Sequence, residues 1–264
     1  MAYLIDKDSF MIKTVGEHGK CVDGYYGIGQ WMYKVLTGAI DNPAAGKYGE
    51  LSLEDIPVYE YDPEDVDELL DEAGWNCNAD GGEYTYGLRY KQTDAGLIPL
   101  RLTLACPETT SAIGALYQAA EELFAGGFEI KVCPIPFDEL LLQFYGMKEK
   151  AYDLYFLSSN FDLQFDPSVK FTMNEAGEPV WGETGIADEE LYELALAMRS
   201  TKPGSLGEYV EKWLEFQKRF AEVLPMLPLY SNMYYDFYTE ALQDYDIVPF
   251  PTWGQAIVPA HIAE

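Results

Sequence analysis

Two histidines, His18 and His261, stand near opposite ends of the 264-residue chain, with four cysteines, Cys21, Cys77, Cys106 and Cys133, spread between them. Neither set has metal-site spacing, because a zinc centre needs paired ligands such as CxxC, and only two distant histidines could complete the cysteines. Nucleophilic catalysis needs a base beside a hydroxyl or thiol, and the sequence carries neither a GxSxG elbow nor an HExxH helix. It also lacks a glycine-rich phosphate loop followed by Lys and Ser or Thr. With 45 acidic residues, no carboxylate pair stands out for acid–base work. The stretch Asn76-x-Asn78-x-Asp80-Gly81 opens like a calcium loop, but Gly87 holds the twelfth position, where a bidentate glutamate belongs. An Asx-rich turn accounts for the same residues. The expectation is a protein that is not an enzyme and uses no cofactor and no metal.

Charge excludes further classes. Seventeen basic residues against 45 acidic ones leave a net charge of −28, which repels phosphate backbones and anionic headgroups. No nucleic acid is expected as a partner, and a solubilising surface is a plainer reading of the charge than a trap for cationic solutes. At 48 % hydrophobic and 15 % aromatic, the chain can bury a sizeable core. No apolar run approaches the roughly 20 residues that span a bilayer. The opening Met1-Ala2-Tyr3-Leu4-Ile5-Asp6 is too short for a signal h-region, as in a mature exported chain without its leader, or in a cytosolic protein.

The elements that would position any site are legible in part. In Tyr61–Trp75, Asp62 can cap a helix and Pro63 suits its first turn. Val66, Leu69, Leu70 and Ala73 form one apolar face, Gly74 supplies a left-handed C-cap, and Trp75 can fold back on the last turn. A short hairpin is expected through Gly87–Tyr90. Strands are expected at Arg101–Cys106, Glu129–Ile135 and Tyr152–Ser159, alternating with helices over Ile113–Phe124 and Phe137–Lys150. That order implies right-handed crossovers and an α/β domain with a parallel sheet covered on both faces. Cys106 and Cys133 end neighbouring strands, so a disulfide is geometrically conceivable, with free thiols the preferred state. Further helices are expected at Ala187–Ser200 and Ser205–Leu224; the second carries Tyr209, Trp213, Phe216, Phe220 and Val223 as a core stripe. Leu229–Thr239 has strand composition.

Tyr61, Asp62, Pro63, Glu64, Leu69, Leu70, Glu72, Ala73, Gly74 and Trp75 together resemble a recurring segment of the family 5 solute-binding proteins of ABC importers, with Val66 where alanine is usual. Other stretches are similar in the same order: Ala2–Asp8, Arg101–Ala105 with Gly127–Val132, Tyr152-Asp153, Asp166-Pro167 and Leu227–Tyr230. The resemblance implies a periplasmic-binding-protein-like lobe with a parallel-sheet core and flanking helices. The other lobe is largely missing, since the family's long N-terminal region has no counterpart here. It divides the chain into a ligand-binding lobe, 1–230, and a tail, 231–264, that would return to that other lobe and leave Phe237, Phe250 and Trp253 without their usual partners.

The function it implies is capture of an extracellular solute, most simply an oligopeptide, for delivery to an ABC permease in the membrane. In the full-length protein the place would be extracytoplasmic, periplasmic or as a cell-surface lipoprotein. In peptide-binding members an acidic residue after the third strand meets the peptide's amino group. The candidates here are Asp162, favoured for the ligand, and Asp166, which can instead cap the next segment. Phe161, Phe165 and Trp181 are candidates to line the cleft. A surface-anchored interaction or adhesion module reusing the fold is the alternative, and self-association through unpartnered surface is a further expectation.

Overall fold

The computed structural model describes residues 1–40, 51–64, 66–161, 165–174, 176–177, 185–246 and 253–263. In chain order, α1 (Lys7–Val15), β1 (Gly19–Cys21), α2 (Trp31–Leu36) and α3 (Val66–Glu72) come first. The strands β2 (Tyr90–Thr93) and β3 (Gly96–Pro99) lead into β4 (Arg101–Pro107), α4 (Ile113–Ala125), β5 (Glu129–Ile135), α5 (Phe137–Phe144) and β6 (Leu154–Tyr155). Then come α6 (Glu189–Arg199), α7 (Leu206–Val223), β7 (Tyr230–Asn232), β8 (Leu242–Gln243), α8 (Trp253–Ala256) and β9 (His261–Ile262).

The expected alternation of strand and helix forms a parallel sheet in the order β5-β4-β6. Right-handed crossovers put α4 on one face and α5 on the other. α4 turns Ala115, Leu116, Ala119 and Leu123 inward at helical spacing and ends at Gly126-Gly127, where Gly127 takes a φ of +85°. Phe128 N then bonds back to Leu123 O at 3.0 Å, which closes the helix end and aims the chain into β5. The third strand is shorter than its composition suggests. Asp153 Oδ2 accepts hydrogen bonds from Thr103 N and Oγ1, both at 2.7 Å, so a side chain replaces the ladder there, and pairing is left to Leu154 and Tyr155.

The two cysteines of the sheet do not meet. Cys133 pairs in register with Ala105, while Cys106 pairs with Pro134. Successive side chains alternate faces, so the thiols lie on opposite sides of the sheet; all four cysteines are free. The hairpin is displaced from Gly87–Tyr90 to β2 and β3, which pair from Tyr90 with Pro99 to Thr93 with Gly96. Helix α5 stops at Phe144, short of Lys150. Leu69, placed on the apolar face of its helix by spacing, is 47 % exposed, and Tyr117 and Phe124 of α4 are 50 % and 46 % exposed, because each helix touches the core along a narrower stripe than its sequence offers. Of the Leu229–Thr239 stretch only β7 is strand; its partner β1 is itself three residues long.

A second core lies under α6 and α7. Leu191, Ala195 and Met198 of α6 meet Val210, Trp213, Leu214, Phe216 and Phe220 of α7, joined by Tyr25, Tyr26, Trp31, Phe165 and Phe171. The aromatic stripe of α7 is therefore core, as its spacing implies. Asp188 fastens the two helices: its carboxylate caps α6 by accepting from Leu191 N at 2.8 Å, and takes a fork from Arg219 of α7 at 3.0 and 2.7 Å. Beyond β7, Tyr234 and Phe237 are 87 % and 96 % exposed, and β8 pairs with β9. Phe250 lies outside the described residues.

The tightest junction is Arg89, 1 % exposed. Its Nη1 donates to Asp71 Oδ1 at 2.5 Å and to the Trp75 carbonyl at 2.8 Å, and its Nη2 to Asp67 Oδ1 at 2.6 Å. The guanidinium lies 3.7 Å from the centre of the Tyr84 ring, and Arg89 N donates to Gly127 O at 3.0 Å. A Cβ on Gly127 would lie 2.5 Å from Arg89 Cγ.

Two stability experiments follow from these contacts. Arg89→Met should lower unfolding free energy by about 2–3 kcal/mol in urea titration: it leaves the Trp75 carbonyl unpaired, while the half-exposed carboxylates of Asp67 and Asp71 regain water. Gly127→Ala should cost about 2 kcal/mol, and more than Gly87→Ala, which shares the left-handed backbone but has open space around its Cβ. The Arg219 fork holds the Asp188 carboxyl below the usual range, against burial that raises it. That stabilisation is complete above the ordinary carboxylate pKa of about 4 and is lost as pH falls through the depressed value. Asp188→Asn should therefore flatten the acid limb of a stability–pH curve, and an unchanged limb would refute the linkage.

Candidate functional site

Because β4, β5 and β6 run the same way, their C-terminal ends open on one edge. The chain leaves β4 towards one neighbour and returns to the other, so β4 sits at the reversal point where open α/β sheets form a crevice. Two connections rim this edge. After β4, Glu108, Thr109 and Ser111 are exposed, and Thr110 Oγ1 accepts from Ala112 N at 3.2 Å as α4 begins. After β6, Ser158, Ser159 and Asn160 are exposed, and Phe161 follows, half-buried. Short hydroxyl and amide side chains beside an aromatic ring suit an extended polar ligand, whose backbone can be hydrogen-bonded while its side chains find apolar surface.

The candidate residues are placed unequally. Phe161 packs its ring edge-on against Tyr25 at 5.0 Å and lies 5.9 Å from Phe165. Phe165 goes deeper, 8 % exposed among Tyr25, Phe216 and α7, and its carbonyl accepts a hydrogen bond from Tyr209 Oη. Burial first, and then the charge of Asp166, push the Tyr209 hydroxyl up to about 12, so it remains a donor at neutral pH. Asp166 caps a 3-10 turn, Pro167–Val169: its Oδ1 accepts from Ser168 N at 3.1 Å and from Ser168 Oγ at 2.5 Å. Arg199 Nε stands 3.7 Å from its other oxygen. Asp162 and Trp181 lie outside the described residues.

The segment 22–30, which carries none of the sequence candidates, packs against Phe161. A Cβ on Gly27 would lie 3.0 Å from the Phe161 ring and 3.5 Å from Ser231 Oγ, so the backbone runs flush against both. Ile28 N donates to Ser231 Oγ at 3.1 Å. The signal was present: Gly24, Gly27 and Gly29 bracket two tyrosines within six residues, a spacing that suits close backbone approach. Among the described residues no group of three or more His, Cys, Asp or Glu could hold a metal ion. In the calcium-like stretch, Asn78 bonds to Glu83 O and Thr85, and Asp80 to Gly82 N, so those side chains close a turn. Among the described residues no helix is long and apolar enough to cross a membrane.

No family model and no curated protein matches the sequence. Solved structures do match it. The oligopeptide-binding protein AppA of Bacillus subtilis, in complex with a nonapeptide, superposes with a TM-score of 0.68 at 16 % identity, over 100 % of this chain and 46 % of that one. An oligopeptide-binding protein of Thermus thermophilus, complexed with a pentapeptide, gives 0.66 at 16 % identity, over 92 % of this chain and 38 % of that one. NikZ of Campylobacter jejuni, in complex with Ni(L-His), gives 0.59 at 15 % identity, over 88 % and 40 %. The chain thus spans less than half the length of each of these neighbours. Its fold is that of a partial periplasmic-binding-protein-like lobe, a parallel-sheet core with flanking helices, shared with solute-binding proteins of oligopeptides and nickel complexes.

Proposed function

We propose that the chain is the ligand-binding lobe, 1–230, and the tail, 231–264, of a solute-binding component of an ABC importer. It captures an extended solute, most simply an oligopeptide, and hands it to a membrane permease. The observation that carries this reading is the match of the whole chain to a peptide-bound neighbour, together with the open C-terminal edge at the sheet's reversal point. The role is binding rather than catalysis, and the place is extracytoplasmic, with a lipoprotein anchor as one form of retention. The peptide's free amino group meets Asp162, the acidic position that the family resemblance favours. Asp166 serves the fold instead, its carboxylate being engaged by Ser168.

Calorimetry on the full-length protein with free and N-acetylated nonapeptides separates these roles. Truncating one partner of a charge pair in a closed cleft costs roughly 2–5 kcal/mol, so Asp162→Asn should weaken binding of the free peptide by about tenfold or more. Acetylation of the peptide should have a similar effect on the unaltered protein and little on the variant. Asp166→Ala should leave affinity nearly intact and lower thermal stability by about 1 kcal/mol through loss of the cap. Equal affinity for both peptides, with Asp162→Asn unchanged, would sink the assignment of Asp162.

A further inference from the structure

Gln217 is completely buried in the middle of α7, in the aromatic core with Trp213, Phe216 and Phe220. An amide there must find protein partners, and Gln217 directs both of its polar atoms to one residue 192 positions earlier. Its Oε1 accepts from Tyr25 N at 2.7 Å and its Nε2 donates to Tyr25 O at 3.0 Å. A two-point bond of this kind fixes both the position and the rotation of a backbone segment, as a neighbouring strand would. The approach is close: a Cβ on Gly24 would lie 2.5 Å from Gln217 Oε1. A methionine would fill the same space on α7 without specifying where the segment 22–30 sits.

The clamped residue is the hub of the aromatic core. The Tyr25 ring meets Phe161 at 5.0 Å, Phe171 at 5.5 Å, Phe220 at 5.5 Å and Phe165 at 5.8 Å. Of these partners Phe161 alone follows the exposed rim of Ser158–Asn160. We propose that Gln217 is a positioning residue for ligand capture: by clamping Tyr25 it sets where Phe161 presents its ring at the C-terminal edge of the sheet. This rests on the solute-binding reading of that edge, and the test lets the two fail separately.

The test uses the full-length protein with 4-fluorophenylalanine at position 161 or, as a control in the sheet core, at position 128. In ligand-free protein, Gln217→Met and, independently, Gly24→Ala should shift and broaden the fluorine resonance at position 161 while that at 128 stays unchanged. Nonapeptide affinity should fall by about fivefold in Gln217→Met, and that loss should vanish in a Phe161→Ala background, since the clamp acts through this ring. An unmoved resonance at 161 in both variants would overturn the proposal. So would equal movement at 128, which marks a general core role, or an affinity loss undiminished in the Phe161→Ala background. A protein that binds no nonapeptide refutes the peptide reading, and the fluorine spectra alone then decide whether Gln217 positions Phe161.

Discussion

A guanidinium with almost no water of its own ties helix α3, the β2–β3 hairpin and the α4–β5 turn into one piece. Removing an arginine from water is costly, and Arg89 is held only because three acceptors and one aromatic face converge on it. Asp67 and Asp71 are one helical turn apart on α3, so a single side chain can reach both, and in doing so it sets the rotation of α3. Their carboxylates remain half in solvent, which spares the site a second desolvation. The same side chain requires glycine at 127, and the turn at 127 aims β5 alongside β4. The orientation of the sheet edge thus rests on an ion-pair cluster well away from it.

Local signals carried far in this chain, and stopped where long-range polar contacts begin. Asp62, Val66, Leu70, Gly74 and Trp75 behave as their types and spacing imply: Asp62 accepts from Glu64 N, and Gly74 takes a φ of +85°. The parallel sheet was legible from alternation and crossover rules. The length of β6 was not, because Asp153 bonds a threonine 50 residues earlier. The pairing of Arg89 with α3 and of Gln217 with Tyr25 was equally hidden, since each joins residues that no periodicity connects. The capping role of Asp166 could be read from the sequence, from its place just before Pro167. The glycine-framed support beneath Phe161 needed the fold.

The two cores solve different problems. Around the sheet, aliphatic side chains such as Leu100, Leu123 and Ile130 fill regular space between strands and helices, and the backbone ladder supplies the specificity. Under α7 there is little ladder, and large rings must be kept in one arrangement among many of similar volume. A few side-chain hydrogen bonds fix that arrangement: the paired bonds of Gln217 to Tyr25, Tyr209 on the Phe165 carbonyl, and Tyr59 Oη on the Ala221 carbonyl at 2.9 Å. Phe161 lies where this aromatic packing reaches the open edge of the sheet, so it inherits its precision from the second core and its exposure from the first.

The pairing of β1 with β7 bears on the order in which the molecule can assemble. Gly19 is registered against Asn232, and Tyr25 waits for Gln217, so the N-terminal portion has no finished core until nearly the whole chain is available. Closing such long loops is slow, whereas β4, α4 and β5 join across short connections and can form early. A partly synthesised chain would therefore carry residues 19–30 unlatched until α7 and β7 have emerged. Late latching leaves the aromatic core under α7 as the last part of the fold to close.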